Sequence, residues 1–257
     1  VILDNEITTP GEAIYLEDSG YNVIDNNTII DGGDYGIDLY QSHYCTTSGN
    51  TISNCSNGIN YGHSNHSLIS DNIVSSNEYS GIYLSYCLEN VTITGNTILN
   101  NIEDGINLDE SSNVLVTMNS IYANDRYGIH VHGSSENNTI FLNYVANNDM
   151  SDAYSAPSGS ETSDWDNGTH GNYWGDYETL FPLATNNSGI WNTPYPINNS
   201  NSVNDSYPLA IWPLPEGDGG DGNGGAVPSY LPAWIFMATI VGTVLIITRN
   251  KMKIKRK

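Results

Sequence analysis

Residues Gly81 to Asn101 read GIYLSYCLENVTITGNTILNN, and the reading of this stretch decides the fold. Three short alternating apolar runs, led by Ile82-x-Leu84, Val91-x-Ile93 and Thr97-Ile98, are divided by polar residues, and Asn100-Asn101 closes the unit. Alternation over four or five residues is the pattern of short half-buried strands. The same phrase recurs on both sides: Ala13, Gly36, Gly58, Gly81, Gly105 and Gly128 each open a copy, at steps of 23, 22, 23, 24 and 23 residues. Asn5, Asn27, Asn50, Asn72, Asn96, Asn119 and Asn143 run in phase with the openers, and so do Ser19, Ser42, Ser64, Cys87, Ser111 and Ser134.

No copy is long enough to bury its own apolar residues, so the copies must stack. A period near 23 also suits leucine-rich repeats, but those need a Leu frame and usually a helical return. Here Ile, Val, Thr, Asn and Gly dominate, which are strand and turn residues. The expected fold is all-β: a right-handed parallel β-helix solenoid with three strands per coil of ~23 residues. Ile37, Leu39, Ile59, Ile82, Leu84, Ile106, Leu108, Ile129 and Val131 should line one inner wall. Ile24, Ile69, Ile93, Val116 and Ile140 should line the second, and Ile29, Ile52, Ile98, Ile121 and Val145 the third. The Asn ladder should sit at a bend, each Asn left-handed and bonded to the next.

These coils fill residues 1–148. Val1 to Ile7 is already the second half of a copy, and neither Met nor a signal peptide precedes it, so upstream coils, a cap and an export signal are expected. From 149 the period stops, and 149–214 should form an irregular aromatic cap in which Trp165, Tyr173, Trp174, Tyr177, Trp191 and Trp212 cover the last coil. Residues 215–230 are a Gly/Asp-rich linker. An uncharged apolar run, 231–248, is long enough for one transmembrane helix, and the basic 249–257 should be its cytoplasmic tail, with the β-helix outside the cell. Asn-x-Ser/Thr sequons at Asn26, Asn54, Asn65, Asn90, Asn137, Asn167, Asn186, Asn198 and Asn204 suit a glycosylated exterior.

The charge is unevenly divided. Seven basic residues face 29 acidic ones, a formal net charge of −22, and Arg126 is the only Lys or Arg before Arg249. Such a body excludes nucleic acid as a partner. It also repels acidic polysaccharide unless cations intervene. Cys45, Cys55 and Cys87 show no metal spacing, and Cys45 reads as a buried thiol.

The order Trp165-Asp-Asn-Gly168, Gly171-Asn-Tyr-Trp-Gly-Asp-Tyr177, Thr193-Pro-Tyr195 and Tyr207-Pro-Leu209, placed directly after the coils, resembles the NosD-like β-helix family of the pectin-lyase-like class over about residues 1–212. The layout of linker, apolar helix and basic end resembles the C-terminal anchors of archaeal surface proteins. Relatives often carry an Asp/Gly-rich loop between the second and third boxes. Here Ala184 to Gly189 lacks carboxylates, which speaks against calcium there.

Outward positions on the Gly-Ile-x-Leu wall form two ladders. Tyr15, Asp38, Asn60, Tyr83, Asn107 and His130 make one; Glu17, Tyr40, Gly62, Ser85, Asp109 and His132 make the other. Such a wall suits a sugar strand, with Tyr15, Asp38, Tyr40, Asn60, Tyr83 and Asn107 as substrate-binding candidates. Asp109, His130 and His132 are the candidate acid–base groups. The two histidines, about 7 Å apart at Cα by strand rise, with Asp109 beside them also form a candidate copper or zinc set. Three functions stay open: a membrane-anchored surface protein that binds glycan or serves as structure, a carbohydrate-active lyase, epimerase or hydrolase, and, from the family resemblance, a copper-handling accessory.

Overall fold

A computed structural model describes residues 1–157, 163–197 and 203–212 of the chain. The expected linker, apolar run and basic tail lie outside the described residues, as does Asn198. No helix among the described residues is long and apolar enough to cross a membrane.

The coils form three parallel sheets of seven, eight and seven strands. The first runs from Ile2–Leu3 to Thr139–Phe141, the second from Glu6–Ile7 to Tyr173–Trp174, and the third from Ile14–Glu17 to Ser151–Pro157. In the third sheet Ile14, Ile37, Ile59, Ile82, Ile106 and Ile129 stand in unbroken register. All six are buried. The residues expected on the other two walls are likewise buried. A fully buried Val, Leu or Ile contributes about 1.5–3 kcal/mol, so this stack of apolar columns is the main source of stability. One coil departs from the rule. Tyr61 and Thr47 occupy inner positions and satisfy each other through a 2.8 Å hydrogen bond between their hydroxyls.

The third sheet carries one strand more than the period implied, because the stack continues through Ser151–Pro157 rather than stopping at 148. Asp152 stands where earlier coils have their opening glycine, which hid the copy. That glycine is required where another coil follows: a Cβ at Gly58 or Gly105 would lie 2.6 Å from the carbonyl oxygen of the next opener. Asp152 is on the last strand of its sheet and meets no such neighbour.

Asn5, Asn27, Asn50, Asn72, Asn96, Asn119 and Asn143 form the ladder, which Asn172 extends by one rung. Each side-chain amide donates to Oδ1 of the next at 2.8–3.0 Å, and each backbone N–H does the same at 2.9–3.1 Å. The left-handed backbone falls on the preceding residue, for example Asn26, Asp71 or Met118, and not on the ladder Asn itself. Asn77, Asn101, Asn124 and Asn148 make a second ladder of the same kind. The serine ladder ends on Ser135, whose Oγ accepts the Ser111 N–H at 2.9 Å, and not on Ser134.

Both Asn ladders finish on a carboxylate. Asn148 donates to Oδ1 of Asp152. The Asn172 N–H and the Trp174 indole N–H donate to Oδ2 of Asp205 at 2.7 and 2.9 Å. A ladder whose donors all point one way ends well on a group that accepts without having to donate onward, as a carboxyl oxygen does. Beyond it Trp165, Trp174, Tyr177 and Tyr195 join the coil core, with Trp174 stacked on Tyr195 at 4.4 Å. Tyr173, expected over the last coil, instead stacks on Tyr144 at 5.0 Å, where strand alternation turns it away from the buried Trp174.

Candidate functional site

Both outward ladders are in the expected register, and the first continues one coil further to Tyr154. At the C-terminal end of the wall an open groove of about 340 Å³ gathers Asn57, Tyr79, Ser80, Tyr83, Glu103, Asn107, Arg126, His130 and His132. Of the sequence candidates, Tyr83, Asn107, Asp109, His130 and His132 come together here. Tyr15, Asp38, Tyr40 and Asn60 lie on earlier coils, where the Asn60 amide donates to Asp38 at 2.6 Å.

The pivotal residue was not among the candidates. Asp104 precedes the opener Gly105, its side chain is fully buried, and its Oδ2 lies 2.9 Å from Nδ1 of His130. The Asn107 amide donates to the same oxygen at 2.9 Å, the Tyr127 N–H donates to Oδ1 at 3.3 Å, and an Arg126 guanidinium nitrogen stands 3.8 Å from Oδ2. A buried carboxylate at an imidazole Nδ1 fixes the ring and its tautomer. Nδ1 then carries the proton, and Nε2, which makes no hydrogen bond among the described residues, becomes the basic nitrogen of a group lining the groove.

His132 is bound differently. The carboxylate of Asp104 accepts only, so Asn107 must turn its NH2 to Asp104 and its oxygen to His132 Nε2, 2.9 Å away. His132 therefore donates from Nε2 and presents Nδ1 to Asp109 Oδ1 at 3.3 Å. Burial and the neighbouring His130 lower its basicity, while Asp109 and Asp104 pull the other way. The other oxygen of Asp109 accepts the Tyr83 hydroxyl at 3.0 Å, and burial followed by this carboxylate pushes Tyr83 up to about 12.

Arg126 was singled out by the sequence as the lone cation but had no place in the coil. It projects beside the groove between Glu103 and Asp104, at 3.6 and 3.8 Å, with its guanidinium carbon 5.4 Å from the Tyr127 ring centre. Tyr127 in turn stacks on Tyr154 at 4.9 Å. Asp104 and Arg126 lie at the bend before each opener, where strand alternation does not tell which way a side chain points. A charge at that position was the available signal.

The arrangement does not fit a copper or zinc centre. Nδ1 of His130 is engaged by Asp104 and Nε2 of His132 by Asn107, so the two rings do not turn free nitrogens toward a common point with Asp109. No group of three or more His, Cys, Asp or Glu suited to a metal occurs among the described residues. The three cysteines are buried thiols that take the place of ladder acceptors, as where the Asn22 N–H meets Cys45 Sγ at 3.4 Å.

The family described as "Periplasmic copper-binding protein (NosD)" matches residues 1–179. Among solved structures, the periplasmic alginate epimerase AlgG is similar over 62% of this chain and 39% of its own, with 27% identity and a TM-score of 0.53. A point mutant of that epimerase gives 26% identity and a TM-score of 0.53 over 63% and 40%. The chain thus spans about two fifths of the length of these structures. No curated protein is a significant match.

Proposed function

Since the chain belongs to the NosD family of β-helix proteins, we propose that it works outside the cytoplasm on a uronate-bearing polysaccharide, as a proton-abstracting epimerase or lyase. The observation that carries this reading is the 2.9 Å contact between His130 and the buried Asp104 at the edge of an open groove that also holds the chain's only cation before residue 249. The likeness to an alginate epimerase agrees with it.

The groove residues divide the work. A sugar strand lies across the third sheet with one uronate in the groove. Nε2 of His130 takes the proton from the carbon beside the carboxylate, forming an N–H while the C–H electron pair moves into the carboxylate. Asp104 stabilises the resulting imidazolium, and Arg126 holds the charge that gathers on the carboxylate oxygens. Return of a proton from water to the opposite face gives the epimer, His130 losing its own to solvent; alternatively the carbanion's electron pair expels the neighbouring glycosidic oxygen, which takes a proton from water and leaves the unsaturated product. Hydrolysis is the weaker reading, because Asp104 is buried, Glu103 is paired with Arg126 and Asp109 accepts the Tyr83 hydroxyl, so no free pair of carboxylates flanks the groove among the described residues.

The test is incubation of the full chain with uronate homopolymers and heteropolymers in D2O, with loss of the sugar H5 signal followed by NMR. Exchange that disappears in His130→Ala is expected. Absence of exchange on every polymer, or equal exchange by the variant, would overturn the proposal.

A further inference from the structure

The first three corners between the third and first sheets depart from the repeat. Left-handed backbone at these corners falls on two equivalent rows. One row reads Tyr21, Tyr44, His66, Asn90, Asn113, Asn137; the other reads Asp18, Gln41, His63, Tyr86, Glu110, Gly133. Later coils place Asn in the first row and end the second on Gly. The first three place aromatic rings in the first row, and His63 and Tyr86 follow in the second, although bulky residues are disfavoured in that conformation.

The rings are ordered and reach solvent. Tyr21 stacks on Tyr44 and Tyr44 on His66, both at 4.8 Å, while His63 stacks on Tyr86 at 5.0 Å. Tyr21 is 78% exposed, and Tyr44 and Tyr86 nearly half. Between the rows lies a trough of about 580 Å³, with His43 and Asn65 among its lining residues. It offers phenol hydroxyls, two amides and imidazoles beside apolar ring surface, and it contains no Lys or Arg, while Asp18 borders it.

The trough and the groove are lined by nearby positions of the same coil. Tyr83 lines the groove and Tyr86, three residues on, lines the trough, no more than about 10 Å away by strand rise. The ladder between them carries Gly62 and Ser85 in register. A Cβ added to Gly62 would meet only the ring of Tyr40, which is itself set edge-on to His63 at 5.5 Å.

We propose that this trough is a distal subsite for the neutral sugars of the strand whose uronate occupies the groove, which makes the substrate a heteropolysaccharide of neutral and uronate units. The inference rests on the function proposed above. A cation-free, carboxylate-bordered trough on a chain of net charge −22 disfavours a second uronate, whereas ring surface and hydroxyls match the CH faces and hydroxyls of a neutral sugar.

Hyaluronan-type oligosaccharides, alternating neutral and uronate units, and oligogalacturonates, all uronate, serve as probes at three and ten sugars. Both are offered to the full chain, to Tyr44→Asn/Tyr86→Asn and to His130→Ala. Asn is the residue that later coils carry in the row of Tyr44, and it also tolerates the left-handed backbone at position 86, so the double variant retains its corners. NMR exchange reads turnover and calorimetry reads binding. The wild type should bind the alternating decamer about tenfold more tightly than the decagalacturonate, and the double variant should lose that preference while His130→Ala keeps it. Exchange by a double variant whose decamer preference is unchanged would overturn the subsite and leave the groove reading intact. Trough-dependent binding without exchange would sink the groove chemistry and leave the subsite standing. Equal binding of both decamers by the wild type would refute the subsite, and absence of both binding and exchange would refute the two together.

Discussion

The Nδ1 of His130 and the Oδ2 of Asp104, 26 residues apart in the chain, lie 2.9 Å from each other because one coil of the solenoid stacks on the next. Sequence distance is irrelevant to this contact; register sets it. If the pair generates the base, His130→Ala should lower turnover by at least about a hundredfold. Asp104→Asn, which changes the donor pattern facing Nδ1, should lower it by a similar factor while leaving the melting temperature within a few degrees. Exchange rates and thermal melts measured on the same samples separate this outcome from simple unfolding.

Ionic strength should help the reaction. The chain has a formal net charge of −22, and a polyuronate approaching Arg126 must cross that field. Screening shortens the range of the repulsion from about 30 Å at 0.01 M salt to about 8 Å at 0.15 M. KM should therefore fall as salt rises over this interval, with kcat nearly constant. A KM that rises would mean that attraction to Arg126 governs the encounter.

The Asn ladder can be tested at Asn96, which donates to Asn119, to the Ile69 carbonyl and to the Thr94 carbonyl, and accepts from Asn72. Removing the amide in Asn96→Ala strands donors and acceptors in a buried stack and should cost about 3 kcal/mol in urea denaturation. Asn96→Asp should cost at least as much, since a carboxylate cannot donate onward.

Asp205 gives a pH signature. Burial outweighs its three N–H contacts, to Asn172, Trp174 and Tyr207, and pushes the carboxyl up to about 7. From the ordinary carboxyl range near pH 4 up to about 7, the folded chain keeps a proton that the unfolded chain has lost. Unfolding then releases the proton, so raising the pH over this window should lower stability. Asp205→Asn should flatten that part of the curve. A wild-type melting temperature that instead stays flat from pH 4 to 7 and drops as the pH falls below 4, with the drop reduced in Asp205→Asn, would show that the N–H donors dominate.

Copper should not be retained. Full-length protein dialysed after copper loading should hold the same low metal content as His130→Ala/His132→Ala, because one nitrogen of each ring is already held by a hydrogen bond, to Asp104 and to Asn107. Stoichiometric copper in the wild type, lost in the double variant, would show that the ring contacts rearrange around a metal.

The solenoid was legible in the sequence because an inward Ile every second residue and an Asn every coil leave periodic marks. Ile37, Ile59, Ile82, Ile106 and Ile129 align as their spacing required. Legibility failed where a residue broke the period for a physical reason. Asp152 ends a sheet and needs no glycine, Thr47 is satisfied by Tyr61 within the core, and an extra residue in the turn after Gly133 moved the serine rung to Ser135. On the outer face of the third sheet, alternation put His130, His132, Asp109, Asn107 and Tyr83 in the register that the strands have. Asp104 and Arg126 escaped because they sit in bends, where spacing along the chain does not fix side-chain direction.

The donor direction of the Asn rungs gives the rod a head and a tail. Every internal rung hands its hydrogens to a successor identical to itself, so an extra 23-residue module spliced between two coils would find matching partners above and below. A module grafted past Asp205 or Asp152 would meet a side chain that lacks the NH2 group each rung passes on. Lengthening by internal duplication is therefore built into the wiring, while extension beyond the carboxylate ends is refused.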